Sequence, residues 1–128
     1  MVTRAALSLA ALSLLLAACG EKPAASPPAD APLSAQAEQG KRLFSQYCGA
    51  CHSIVGDAAI VGPAMAGIAT RAGTRIEGLS AQDYIVESIL APGAYLVPGF
   101  DNLMPSTWGT TLTGEEMDAI VAFLLTLQ

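Results

Sequence analysis

The residues best equipped for chemistry are Tyr47-Cys48-Gly49-Ala50-Cys51-His52. Two thiols three positions apart, followed at once by an imidazole, have the C-x-x-C-H spacing of covalent haem attachment. One helical turn sets both sulfurs on one side, where each can add across a vinyl group at the porphyrin edge. The next residue, His52, then faces the iron as proximal ligand. A redox dithiol would leave the histidine unexplained and calls for a βαβ setting that the pattern lacks. A tetrahedral zinc site needs further Cys or His, yet His52 is the sole histidine and the third cysteine, Cys19, is remote.

The elements that must position this motif fit into one small domain. The chain has 128 residues, and 52% of them are hydrophobic. Much of that excess sits in alanine and in the first eighteen residues. Residues 1–18 carry Arg4 and an apolar run from Ala5 to Ala18, shorter than the roughly 20 residues a spanning helix needs, and read as a secretory signal. They end in Leu16-Ala17-Ala18-Cys19, which resembles the bacterial lipobox. That likeness implies cleavage before Cys19 and acylation there, and several acyl chains make a stable anchor. An ordinary signal with Cys19 incidental, or an uncleaved anchor, is the alternative. Residues 19–34, with Pro23, Pro27, Pro28 and Pro32, read as a tether of roughly 40 Å at about 3.1 Å per residue. Residues 35–128 form the domain. With Cys19 lipidated and Cys48 and Cys51 on haem, no thiol remains for a disulfide.

The formal charge is −5; without Arg4, eleven acidic against five basic side chains give −6. No basic stripe exists, so nucleic acid is excluded as a partner. Net charge bears on encounter rates with a redox partner and leaves its identity open.

Ser34 caps a helix expected over Gln36 to Tyr47, with Gly40 and Phe44 on one face. Ser80-Ala81-Gln82-Asp83 resembles a capping box ahead of a helix through Tyr84 to Leu90, and Pro92-Gly93 stops it. A long loop is expected from Pro92 to Leu112, a length that usually carries function. Thr113-Gly114-Glu115-Glu116 is a second capping box. The wide apolar stripe of Met117, Ile120, Val121, Phe123, Leu124 and Leu127 follows it.

From Gln36 to Gln128 these features resemble the monohaem class I cytochromes c, through the haem motif, Gly62-Pro63, Met104-Pro105 and the two terminal helices. The resemblance implies a small all-α fold, helices and loops wrapped around one covalently attached haem c. It implies that the Pro63 carbonyl accepts from His52, and that Met104 is the distal iron ligand. Counting agrees on Met104: Met1 leaves with the leader, Met65 lies in the proximal loop and Met117 in the last helix. An open iron, or one bound by Lys41, is the alternative. Arg71 falls where some relatives set an arginine against a haem propionate; Arg75 competes with it, and an exposed Arg71 remains open. The indole of Trp108 could reach a propionate or simply pack. Ile120 and Phe123 are expected to cross the first helix at Gly40 and Phe44.

Iron held by histidine and thioether has no place for substrate, so electron transfer is expected and catalysis is not. The partners expected are a membrane, through the lipid, and redox proteins on the periplasmic or extracytoplasmic face. The chain would be a carrier or a fixed subunit of a respiratory or photosynthetic complex. Lipidated monohaem cytochromes of this shape resemble the small cytochrome subunit of alternative complex III. A haem enzyme or gas sensor with a labile sixth ligand is the rival.

Overall fold

The computed structural model describes residues 32–128. The expected signal, Cys19 and nearly all of the tether lie outside them. Five helices and no strand are present among the described residues: α1 (Ala35–Tyr47), α2 (Ile68–Arg75), α3 (Ala81–Leu90), α4 (Trp108–Thr111) and α5 (Gly114–Leu124). The all-α expectation is met.

Three helices start where a hydroxyl precedes them. Ser34, Ser80 and Thr113 each accept from the backbone N–H three residues on, at 3.1, 3.1 and 3.2 Å. Such caps contribute about 1 kcal/mol each by satisfying an orphan donor. Only Thr113 completes the reciprocal box, its N–H donating to the Glu116 carboxylate at 2.9 Å. At Ser80 the shorter Asp83 side chain takes the serine hydroxyl instead, at 2.6 Å.

The principal packing is α1 across α5. Gly40 is buried where they meet, and a Cβ there would collide with the Ala119 carbonyl and lie 2.9 Å from Phe123 Cβ. Phe44, one turn on, meets Phe123 edge to face at 5.7 Å between ring centres. The residues at the crossing are thus Ala119 and Phe123, whereas Ile120 was expected there with Phe123. Ile120 is one position round the helix and faces the interior cavity described below.

Two elements depart from the sequence reading. Helix α2 has only Ile68 and Ala72 buried, and it begins at Gly67, φ +70°, with no side-chain cap. Neither a capping residue nor a wide apolar stripe announces it. The stretch from Pro92 to Leu112 is also not all loop, because α4 forms within it. That single turn has no side-chain N-cap bond; the Thr110 and Thr111 hydroxyls donate back to the Thr107 carbonyl.

Because Gly40 sits against backbone, Gly40→Ala must part α1 from α5. The expected loss of stability is at least about 3 kcal/mol, at the upper end of overpacking costs. Denaturant unfolding of the haem-loaded protein measures it. A midpoint within error of the parent would refute so close a crossing.

Candidate functional site

The haem-type motif is folded locally, at the end of α1. Cys48 is the C-cap; its N–H and that of Gly49 donate to the Phe44 carbonyl at 2.8 and 2.9 Å. The chain then turns tightly, with the N–H groups of Cys51 and His52 both donating to the Cys48 carbonyl at 3.0 Å. Cys48 is half-buried, Cys51 is exposed, and both are free thiols. Burial, helped by the nearby Cys51, pushes the Cys48 thiol up to about 11. A disulfide-exchange dithiol instead works through a thiol lowered toward neutrality. No group of three or more His, Cys, Asp and Glu is arranged to hold a metal among the described residues.

The segment after His52 folds back on the motif. Val61 and Gly62 donate to the Cys51 carbonyl at 3.2 and 3.0 Å, and Met65 donates to the Ser53 carbonyl at 2.7 Å. This brings the Pro63 carbonyl 2.8 Å from His52 Nδ1. A carbonyl only accepts, so Nδ1 carries the proton and Nε2 keeps its lone pair for a metal. Gly62 makes the approach possible. A Cβ on it would press into the imidazole, 2.9 Å from Nδ1 and 3.0 Å from Nε2. Sequence reasoning had singled out the proline of this pair and missed the steric demand on the glycine.

Both cysteines and His52 border a cavity of about 330 Å³. Its walls are largely apolar, built by Phe44 of α1, Ile68 of α2, Ile85 and Ile89 of α3, and Ile120 and Leu124 of α5. Two methionines reach it: Met65 in the proximal loop, and half-buried Met104 in the segment between α3 and α4. Met117 packs in the core, and Lys41 lies on a separate surface groove. The wall therefore offers an imidazole nitrogen and two thioethers, but no lysine.

A family model for cytochrome c matches residues 37–128. The chain belongs to the cytochrome c family. Comparison with curated proteins gives no match.

Cytochromes c carry haem c, covalently bound with its iron, and this cytochrome fits the group on its own residues. It has a deep apolar cavity and two free thiols on one turn at its wall. It also has a histidine whose tautomer is fixed by a backbone carbonyl.

Arg71, expected near a propionate, does not line this cavity. Its guanidinium closes the proximal loop instead, with Nη2 donating to the Ala64 carbonyl at 2.8 Å and Nη1 to the Ala66 carbonyl. Gly67, φ +70°, lies against the same guanidinium, and a Cβ on it would come within 2.8 Å of Nη1. Arg75, one turn further along α2, is the arginine at the cavity wall. The Trp108 ring lines the cavity and meets Tyr47 edge to face at 5.9 Å. Its Nε1–H is buried without a hydrogen-bond partner.

Gly62→Ala should displace the His52 ring and lengthen its bond to Pro63. The expected result is a protein that matures with haem poorly, or whose haem spectrum differs from the parent's. An unchanged yield and spectrum would show that the imidazole does not depend on this glycine.

Proposed function

We propose that this chain carries out the haem-based electron transfer of its family, with His52 Nε2 and the Met104 sulfur holding the iron and Cys48 and Cys51 as the thioether attachments. The observation that carries the reading is the His52–Pro63 bond beside a cavity whose wall also presents Met104. The first leaves one nitrogen free to ligate, and the second is the thioether outside the proximal loop. When bound, the haem supplies a one-electron couple in a mostly apolar surround.

The chain's own contributions are positional. Pro63 fixes the imidazole and raises its basicity. Gly62 admits the ring. With both an imidazole and a thioether donor holding it, the iron would keep no vacancy for substrate, which suits outer-sphere transfer, and methionine ligation would favour the reduced state. Exposed Cys51, Val61, Leu96 and Leu103 border the cavity mouth and mark where a redox partner would approach.

The same proposal extends to place. Leu16-Ala17-Ala18-Cys19 supports a lipoprotein tethered at Cys19 to a membrane, with the domain on the periplasmic or extracytoplasmic face. No described helix is long and apolar enough to cross a membrane. The primary reading is a tethered carrier between membrane redox complexes. A fixed subunit, like the small cytochrome subunit of alternative complex III, is favoured by one feature. Val55, Ile60, Val61, Leu96 and Leu103 are exposed in loops that carry few charges of their own, Asp57 and Asp101, with Lys41 of α1 beside Val55 and Ile60. Large exposed apolar surface is a mark of interfaces.

Met104→Ala should abolish the weak long-wavelength band of methionine-ligated ferric haem and open the iron to carbon monoxide. Persistence of the band would refute the ligand assignment, and prompt carbon monoxide binding by the parent would favour the enzyme or sensor reading. Cys19→Ser should move the cytochrome to the soluble fraction. Continued membrane attachment would indicate a partner complex, and a parent that always leaves mild detergent alone would sink the subunit reading.

A further inference from the structure

The two stretches that build the cavity mouth are the stretches in which the chain carries least charge. Residues 43–70, on the proximal side, contain a single carboxylate, Asp57, and no lysine or arginine. Residues 88–114, on the distal side, contain only Asp101. Thirteen Asp, Glu, Lys and Arg side chains lie between Pro32 and Gln128, and the other eleven fall outside both stretches. They sit on α1, on α2 and α3 with the turn between them, and at the start of α5.

At the mouth itself the contrast is sharper. Val61, Leu96 and Leu103 line the cavity and are 50%, 46% and 67% exposed, with Pro105 exposed beside them. Of the lining residues classed as exposed only Asp101 is charged. Arg75 also lines the cavity, but it is half-buried with its guanidinium over the Tyr84 ring. Lys41 stands beside Ile60 in a separate groove.

The domain as a whole is acidic, with nine carboxylates against four basic groups from Pro32 to Gln128. Its charge is therefore kept away from the opening. A partner presenting lysines would find one aspartate there, and a partner presenting carboxylates would be opposed by it. Either would have its charges stripped of water with almost nothing to pair with, a cost that the contact does not offset. An apolar surface meets no such cost and buries the exposed aliphatic side chains, which is favourable.

We propose that the mouth is a docking surface for a redox protein whose own docking face is apolar and uncharged, and that their encounter is not steered by charge. The proposal rests on the electron-transfer reading above and adds the chemistry of the partner. Unsteered association proceeds at about 10⁵–10⁶ M⁻¹s⁻¹, against up to about 10⁸–10⁹ M⁻¹s⁻¹ with steering. A tether to the partner's membrane compensates, because it sets an effective concentration of about 10⁻³ M. Encounters then recur about 10²–10³ times per second without any attractive charge.

The probe is a second copy of the haem-loaded full chain, both copies freed from lipid by Cys19→Ser, since its mouth has the chemistry proposed for the partner. One electron passes from a ferrous copy to a ferric one; no proton moves and no bond is made or broken. The exchange rate, read by NMR, should change by less than about twofold between about 0.01 and 0.5 M salt, where an encounter governed by charge changes by about tenfold or more. Val61→Asp and Leu103→Asp, which place like charges face to face, should each slow exchange at low salt by at least about fivefold, with recovery at high salt. Lys41→Gln and Glu115→Gln should stay within about twofold of the parent. As a readout separate from electron transfer, the amide signals of Val61, Leu96 and Leu103 in the ferrous form should shift as protein concentration is raised.

A steep salt dependence in the parent overturns the proposal, as do parent-like rates in both mouth variants or a large loss in Lys41→Gln. Should Leu103→Asp alter the haem spectrum, Val61→Asp decides. Amide shifts at the mouth on adding phosphatidylcholine vesicles, with none against the second copy, would assign the surface to lipid and overturn the proposal. Absence of exchange at every salt concentration would count against the electron-transfer reading, and the amide shifts would then decide the docking surface by themselves.

Discussion

The structure depends on how closely α1 approaches α5. A mid-helix glycine costs about 1 kcal/mol relative to alanine, so Gly40 is unfavourable for α1 by itself. At the crossing it lets backbone meet backbone, and Ala119 on the other helix keeps the approach open. Phe44 and Phe123 then close edge to face one turn away, a geometry contributing about 0.5–1.5 kcal/mol beyond burial. Phe44 also forms cavity wall, together with Ile120 and Leu124 of α5. The crossing therefore fixes both the distance between the two helices and the ceiling over the haem site. Because Cys48 is the C-cap of α1, the same contact sets where the first thiol stands.

From that fixed end the fold of the proximal loop starts with backbone hydrogen bonds. The Cys51 carbonyl takes two N–H groups and the Ser53 carbonyl a third, which folds the loop against the motif and delivers Pro63 to His52. Arg71 ties the loop's far side through the carbonyls of Ala64 and Ala66. The C-terminus adds a brace, with Ala69 donating to the Leu127 carbonyl at 3.0 Å. A charged side chain thus serves as a strut for irregular backbone, since buried carbonyls must be satisfied somewhere.

What was legible in the sequence was what is local. Ser34, Ser80 and Thr113 act within one turn of themselves, so three helix starts could be placed to within a residue or two. The C-x-x-C-H turn is likewise self-contained. Helix α2 was not legible, because its start is a glycine in the left-handed region and its buried face is two residues wide. Helix α4 is a single turn held by threonine back-bonding, which leaves no periodic pattern. The choice between Arg71 and Arg75 stayed open, and Ile120 was set at the crossing in place of Ala119, for a related reason. Spacing places residues on a face, but the choice between two arginines one turn apart, or between Ala119 and Ile120, is made by surfaces from other elements.

The distribution of basic residues gives the site its electrostatic character. From Pro32 to Gln128 the only lysines and arginines are Lys41, Arg42, Arg71 and Arg75. Lys41 and Arg42 are exposed on α1, and Arg71 is spent on carbonyls. The cavity lining consequently includes one lysine or arginine, Arg75, and one carboxylate, exposed Asp101. In a poorly polarisable surround each unmatched charge weighs more than it would in water. Of the four basic side chains Arg75 is the one on the cavity wall, and α2, the helix least visible in the sequence, is the element that puts it there.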